Sequence, residues 1–456
     1  MIVPLSIISL LGVVCLALLA SPYPFLAPGA VLGLVGVAML YRKPGWGLLG
    51  IAALVPFEGL FKENGLSGSK FLGLALILIL GLQLALHQIP ATRLRSNIWK
   101  PLVGFMVLYG LSLLLSENMD LSQTHLRELT VGLILFVITL LIGRELNLDL
   151  FARLMTVSVA TTCVLAMFSA RYQEQGRASG LLEDPNTFAL LIAFTVPLAL
   201  LLVLRSPNLL QRLFWGGGFI LLLGGMTKTE SRSGLVVLLL SLMIGLYHYR
   251  AQLPRIRPRH LGFAMLGLAL LIPLAIAVMP SGYVARIQSL SILSAGASAH
   301  KDESLGRRAS YILVGSEMIR ENPVLGSGPG TFPLHYAPTG YAKAFSANRK
   351  MGDLYRRAHN TYLEIFSEIG VPGGLMFVAM IGLGLYNLVR ARQLWLQRRD
   401  WAQADLLTHL GMSFLSLALF LMFLSAPNHK LLWIMLALTS VLRYDAEQAA
   451  PREARS

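Results

Sequence analysis

The sequence predicts an all-α polytopic membrane protein of about 12–14 transmembrane helices, and three observations lead there. Charged residues make up 13% of the chain and hydrophobic ones 55%, which is about half the charged fraction of a soluble domain. Apolar runs of about 17–20 residues, long enough to cross a hydrocarbon core, recur from the first residue onward. The mean hydropathy over all 456 residues is +0.65, so the apolar character belongs to the whole chain. An outer-membrane barrel would need short alternating segments instead, and the sequence has none.

In chain order the apolar windows place helices at 2–20, 24–41, 46–61, 71–87, 101–116, 129–143, 151–170, 187–204, 214–227, 234–249, 261–279, 372–389, 405–425 and 431–443. The windows 214–227 and 431–443 are short, which is why the count spans 12–14. Residues 2–20 have no basic stretch ahead of the apolar run and lead straight into further apolar segments. They read as the first transmembrane helix rather than a cleaved signal. Cys15 and Cys163 both lie inside apolar runs, where a cysteine acts as a small buried hydrophobe rather than a disulfide half or a metal ligand. The resulting units are N-terminal transmembrane helices (1–279), a loop domain (280–371), C-terminal transmembrane helices (372–443) and a tail (444–456).

Short-loop basic residues set the orientation. Loop 88–100 carries Arg93, Arg95 and Lys100. Loop 250–260 carries Arg250, Arg255, Arg257 and Arg259, and loop 390–404 carries Arg390, Arg392, Arg398 and Arg399. Counting helices in order puts all three on one side, with Arg42, Lys43 and both termini, and that side reads as cytoplasmic. The net charge of +15 then reflects loops facing anionic lipid rather than a nucleic-acid surface. The opposite face receives loops 171–186 and 228–233 and the long segment 280–370, which is too long and polar to be a simple connector.

Each of these outer stretches brings an arginine. Arg177 stands in GRASGLLEDPNTFA (176–189), where Asn186 or Thr187 is placed to cap the next helix. Arg232 stands in TESRSG (229–234). Arg308, beside Arg307, opens GRRASYILVGSEMIRENPVLGSGPGTF (306–332). That last stretch predicts an amphipathic helix with Ile312, Ser316 and Ile319 along one side, ending at Asn322-Pro323. Pairing of Arg232 with Glu230, or of Arg308 with Asp302 or Glu303, would make these arginines structural. Three arginines gathered on one face instead suit phosphate oxygens, which a guanidinium binds with two donors at once. Gly326, Gly328 and Gly330 fit a tight turn or a close backbone approach. Without a βαβ context they do not make a nucleotide loop.

The stretch RRAHNTYLEIFSEIG (356–370) places His359 just ahead of a helix. Thr361 and Glu364 have capping-box spacing, Leu363, Phe366 and Ile369 form the apolar side, and Gly370 and Pro372 punctuate the end. A helix N-terminus disfavours imidazolium, so His359 is expected to be neutral and able to act as a general base. His300 and His335 lack such punctuation. For Arg356 and Arg357, donor contact, lipid-phosphate contact and interfacial anchoring all stay open. A metal centre would need clustered ligands, whereas Glu183-Asp184 and Asp302-Glu303 have no convincing partner. No nucleophile elbow is present.

Taken in order over residues 176–370, the stretches GRASGLLEDPNTFA, SRSG, RENPVLGSGPGTF and HNTYLEIFSEIG resemble the O-antigen ligase and polymerase superfamily of bacterial inner-membrane glycosyltransferases. The resemblance implies a fold similar to the C-type glycosyltransferases, with short periplasmic helices roofing the site and both termini cytoplasmic. It implies that a glycan passes from undecaprenyl pyrophosphate to an acceptor hydroxyl at the periplasmic face, without a metal or other cofactor. The partners are then the lipid-linked donor, lipid A–core as acceptor and membrane lipids, with no nucleic acid. The family's histidine in its His-Asn/Ser-x-x-Leu motif falls on His359, with Asn360 and Leu363 in place. Its arginine in Ser/Thr-Arg-Ser falls on Arg232. The arginine ahead of Asn-Pro-x-x-Gly-x-Gly falls on Arg308, with Arg307 an adjacent contender, and the arginine before the x-Pro-Asn loop falls on Arg177. The expected roles are His359 as base, Arg232 and Arg308 as catalytic charge, and Arg177 and Asn360 as further substrate contacts. One dominant outer loop favours a ligase over a polymerase, and a protein O-oligosaccharyltransferase would share the chemistry. A transporter of an anionic lipid or solute would place polar or broken helices at mid-membrane, whereas here the reactive side chains gather at one surface.

Overall fold

The computed structural model describes residues 26–64, 68–182, 184–249, 303–346 and 354–449, with scattered positions before residue 21. The chain runs through α1 (Leu26–Arg42), α2 (Gly45–Leu54) with a 3-10 extension over Val55–Asn64, α3 (Gly68–Ala85), α4 (Trp99–Leu114), α5 (Met119–Ile142) and α6 (Leu148–Phe168). A small hairpin, β1 (Gln173–Glu174) and β2 (Arg177–Ala178), leads to α7 (Pro185–Arg205), α8 (Leu209–Lys228) and α9 (Arg232–Tyr249). Then come α10 (Glu303–Glu321), α11 (Phe332–Tyr336), α12 (Gly340–Phe345), α13 (Thr361–Glu368), α14 (Gly370–Gln397), α15 (Trp401–Phe420) and α16 (Lys430–Gln448).

Each expected membrane helix within the described residues has a helical counterpart. The helix expected at 261–279 lies outside the described residues, as does nearly all of 2–20. The two short windows grow to 20 residues in α8 and 19 in α16. The start of α5 lies ten residues ahead of its apolar window, because Asn118 accepts the Leu121 N–H as N-cap and the polar first turns pack under another loop. Asn147, Asp184, Asn208 and Asp400 cap α6, α7, α8 and α15 in the same way, satisfying amides that helix geometry leaves orphaned.

Among the described helices, α3, α5, α6, α7, α8, α9 and α14 are long and apolar enough to cross a membrane. The chain is an all-α polytopic membrane protein. Helices α15 and α16 are among the most enclosed, and each buries polar side chains such as Ser413, Ser416, Thr439 and Ser440. Packed against protein rather than lipid, they need less apolar surface. Helix α14 packs on α4, α15 and α16, and α7 packs on α6, α8 and α15, which makes one continuous core.

Side-chain bonds sort the connections into two groups. At one end Arg93 pairs with Glu145 (2.6 Å), Arg144 with Asp445 (2.9 Å) and Arg205 with Asp149 (2.9 Å). This end gathers the basic loops that the sequence placed together, apart from 250–260, which lies outside the described residues. At the other end Lys430 pairs with Glu58, Ser112 Oγ donates to Glu368 O, and Ser122 Oγ donates to Pro329 O. Helices α10 to α13 belong to this second end.

One expectation about α10 is corrected. The inward stripe is Tyr311, Val314 and Met318, packed with Phe332, Tyr336, Ala342 and Ala358, while Ile312 points outward. The side expected from Ile312, Ser316 and Ile319 is turned away because the aromatic cluster around Tyr311 buries more apolar area.

Candidate active site

The sequence RRAHNTYLE folds into a reversal that delivers His359. Asn360, not Thr361, is the N-cap of α13, and its Oδ1 accepts the Leu363 N–H (3.2 Å). Thr361 is spent elsewhere: its N–H donates to Leu421 O and Leu424 O, and its Oγ1 accepts the Ala426 N–H (2.9 Å). These bonds pin the start of α13 to the loop between α15 and α16. Nor does Glu364 cap the helix. Its carboxylate turns back to accept Arg357 Nη2 (2.8 Å), Arg357 Nε (3.2 Å) and the Ala358 N–H (3.1 Å).

His359 sits between these locks with φ +47°, a left-handed conformation that a non-glycine residue adopts at some cost. Its ring lies on Tyr311, with centroids 5.9 Å apart and an interplanar angle of 27°. Burial first, and then the Arg308 guanidinium, hold the imidazole below its ordinary pKa, with Arg356 adding to the effect. Asp184 and Glu364 pull the other way. The balance is a neutral ring, as the sequence predicted, although burial rather than the helix end is the main cause.

The two neighbouring arginines on α10 part company. Arg307 Nη2 donates to Phe345 O (2.7 Å) and its guanidinium lies near the Phe345 ring. Arg308 bears directly on His359, and its Cζ stands 5.6 Å from the Phe423 ring centroid. Of the two, Arg308 is the one whose charge acts on His359.

Arg177, on β2, donates from Nε to Thr229 O (2.9 Å). Arg232 is the first residue of α9. It follows Ser231, whose Oγ donates to Asn186 Oδ1 (3.1 Å). Asp184 caps α7 by accepting the Asn186 and Thr187 N–H groups and the Thr187 hydroxyl. This corrects the expectation that Asn186 or Thr187 would be the cap. Asp184 also acts electrostatically on His359, and Ser231, next to Arg232, is tied through Asn186 to the start of the helix that Asp184 caps. Glu183, His300, Asp302 and the Glu303 side chain lie outside the described residues. His335 Nε2 stands 3.2 Å from Glu117 Oε2.

The glycine segment 326–330 makes the close approach that its composition suggested. Gly326, Gly328 and Gly330 have φ of +66°, +110° and +77°, and a Cβ on each would collide with Glu368, Ser116 and His125 respectively. The group held by its amides is the chain's own Glu368 carboxyl. Oε2 accepts the Gly330 N–H (2.8 Å) and Oε1 the Phe332 N–H (3.0 Å). Burial and the nearby Glu364 charge push the Glu368 carboxyl upward from its usual range.

Sequence reasoning missed Tyr311, Glu364 and Glu368 as parts of this site and left Arg357 open. One signal was available: Thr361, Glu364 and Glu368 recur at helical spacing, a polar stripe that α13 buries.

Residues 217–378 match the family described as O-antigen ligase. The match includes Arg232, Arg308 and His359 and leaves out Arg177. No curated protein matches the chain. The family match supports membership of the O-antigen ligase and polymerase superfamily, and with it a role in O-antigen processing by chemistry of the glycosyl-transfer type.

Proposed function

From this family match we propose that the protein is an O-antigen ligase, moving a glycan from undecaprenyl pyrophosphate to a sugar hydroxyl of lipid A–core at the periplasmic face of the inner membrane. The observation that carries the reading is His359, a histidine kept neutral in a strained turn next to Arg308. Among the described residues neither of its ring nitrogens makes a hydrogen bond. In this reading the ring takes the proton from the acceptor hydroxyl as that oxygen attacks the anomeric carbon. The anomeric C–O bond breaks with inversion, and the bonding pair leaves on the pyrophosphate.

Arg177, Arg232 and Arg308 hold that pyrophosphate and stabilise the charge developing on it. Such preorganised donors are worth about 3–4 kcal/mol each, and a well-placed base about 10²–10⁴-fold. Asn360 holds the His359 turn through its cap, with its amide NH2 left toward substrate. The basic end of the bundle faces the cytoplasm in this reading, and the polyprenyl tail lies in an apolar groove between helices.

The test is a purified reaction with lipid-linked glycan and lipid A–core. Glycan appearing on lipid A–core is the expected result. Glycan extended on the lipid carrier would make the protein a polymerase, and carrier movement without a new glycosidic bond would remove it from glycosyl transfer altogether.

A further inference from the structure

We propose that Arg357 and Glu364 are positioning residues whose ion pair locks the backbone reversal presenting His359 to the substrate, an inference that rests on His359 being the base. The first observation is strain. A histidine at φ +47° occupies the left-handed region at a cost and persists there only where its surroundings over-determine it.

Here they do so from both sides. Ahead of His359, a single carboxylate on the first turn of α13 grips the two preceding residues. Glu364 Oε1 takes the Ala358 N–H and Arg357 Nε, while Oε2 takes Arg357 Nη2. After it, Asn360 caps the same helix and Thr361 is tied to Leu421, Leu424 and Ala426. The Tyr311 ring then fixes the imidazole plane.

The pair is ill suited to other duties. Glu364 is only 2% exposed while Arg357 is 35% exposed, and the cost of taking the Glu364 charge out of water offsets much of what the ion pair gains. Arg357 turns two of its donors to Glu364 and is surrounded by carboxylates, with Glu368 and Glu128 also acting on it. That setting disfavours a pyrophosphate ligand. What the pair does supply is direction, because the planar guanidinium fork and the carboxylate meet in one geometry. Displacing a reacting group by about 1 Å costs on the order of 10²-fold in rate.

The test uses the full-length protein in the purified transfer reaction, with kcat and donor KM measured separately. R357M/E364L replaces the ion pair by an apolar one while releasing the Ala358 N–H. It is expected to insert like the parent and to melt somewhat lower, because the buried Ala358 N–H loses its acceptor, with kcat down by about 10²-fold and donor KM unchanged. E364Q keeps an acceptor for the Ala358 N–H and is expected to stay within about tenfold of the parent. If the double variant does not fold, R357K decides: it keeps the charge but loses the fork, and kcat should fall by about tenfold at constant KM. A folded R357M/E364L, or failing that R357K, with parental kcat overturns the proposal, as does a loss that appears in donor KM alone. H359A in parallel separates the two levels. If H359A is inactive, such a result removes only the positioning role, whereas an H359A as active as the parent removes the base reading itself.

Discussion

Glu368→Gln should loosen the glycine segment at the end of the bundle opposite the basic loops. The Glu368 carboxyl accepts two backbone N–H groups, from Gly330 at 2.8 Å and from Phe332 at 3.0 Å, and both bonds are buried. A glutamine side chain has one acceptor oxygen. In either rotamer its NH2 faces a backbone N–H that then has no partner. The loss is one hydrogen bond plus a buried unpaired donor, together about 2–4 kcal/mol. Relief of the repulsion from Glu364 offsets part of this and moves the expectation to the lower end. Unfolding entropy of roughly 2.1 cal/mol/K per residue then converts the loss into a Tm drop of about 2–4 °C for a chain of 456 residues. Thermal unfolding of the detergent-purified protein reads this directly. An E368Q protein as stable as the parent, or more so, would refute the idea that the segment hangs on this carboxylate.

Other perturbations separate the roles within the site. Arg308 and Arg356 lower the His359 pKa, and Asp184 and Glu364 raise it. R308A should therefore move the acid limb of the kcat/KM pH profile upward toward neutrality, while E364Q moves it further down; the profiles check both signs. The Tyr311 hydroxyl is buried without a hydrogen-bond partner among the described residues. Y311F should thus keep activity and be as stable as the parent or more stable by about 1 kcal/mol. Y311A, which removes the ring under His359, should cost about 3–5 kcal/mol and slow turnover. At Gly328, φ is +110° and an added Cβ would meet Ser116 Oγ at 2.2 Å, whereas at Gly176 (φ +80°) it would meet nothing within 4 Å. G176A should then cost only backbone strain, about 1–2 kcal/mol, and G328A clearly more, as comparative melting would show.

Much of the framework was legible from the chain. Apolar runs marked the helices because lipid demands them, and basic short loops marked the end that the Arg93, Arg144 and Arg205 ion pairs now gather. The position of His359 directly ahead of a helix was legible because loop punctuation is local. What stayed hidden was decided at long range. Thr361 and Glu364 have the spacing of a capping box, yet Thr361 is claimed by the loop after α15 and Glu364 by Arg357. Ile312 reads as a core position until the Tyr311 cluster turns α10 the other way. Two carboxylates on the inward face of α13 contradict any hydrophobic pattern. They are tolerable only because backbone amides and a guanidinium from distant segments meet them there.

In the proposed reaction His359 takes the acceptor proton. The direct measurement is single-turnover glycan transfer by purified H359A and parent proteins, each loaded with lipid-linked glycan to the same occupancy. Equal insertion and donor binding are expected, with the transfer step slowed by about 10²–10⁴-fold. Transfer by H359A at the parental rate would contradict it.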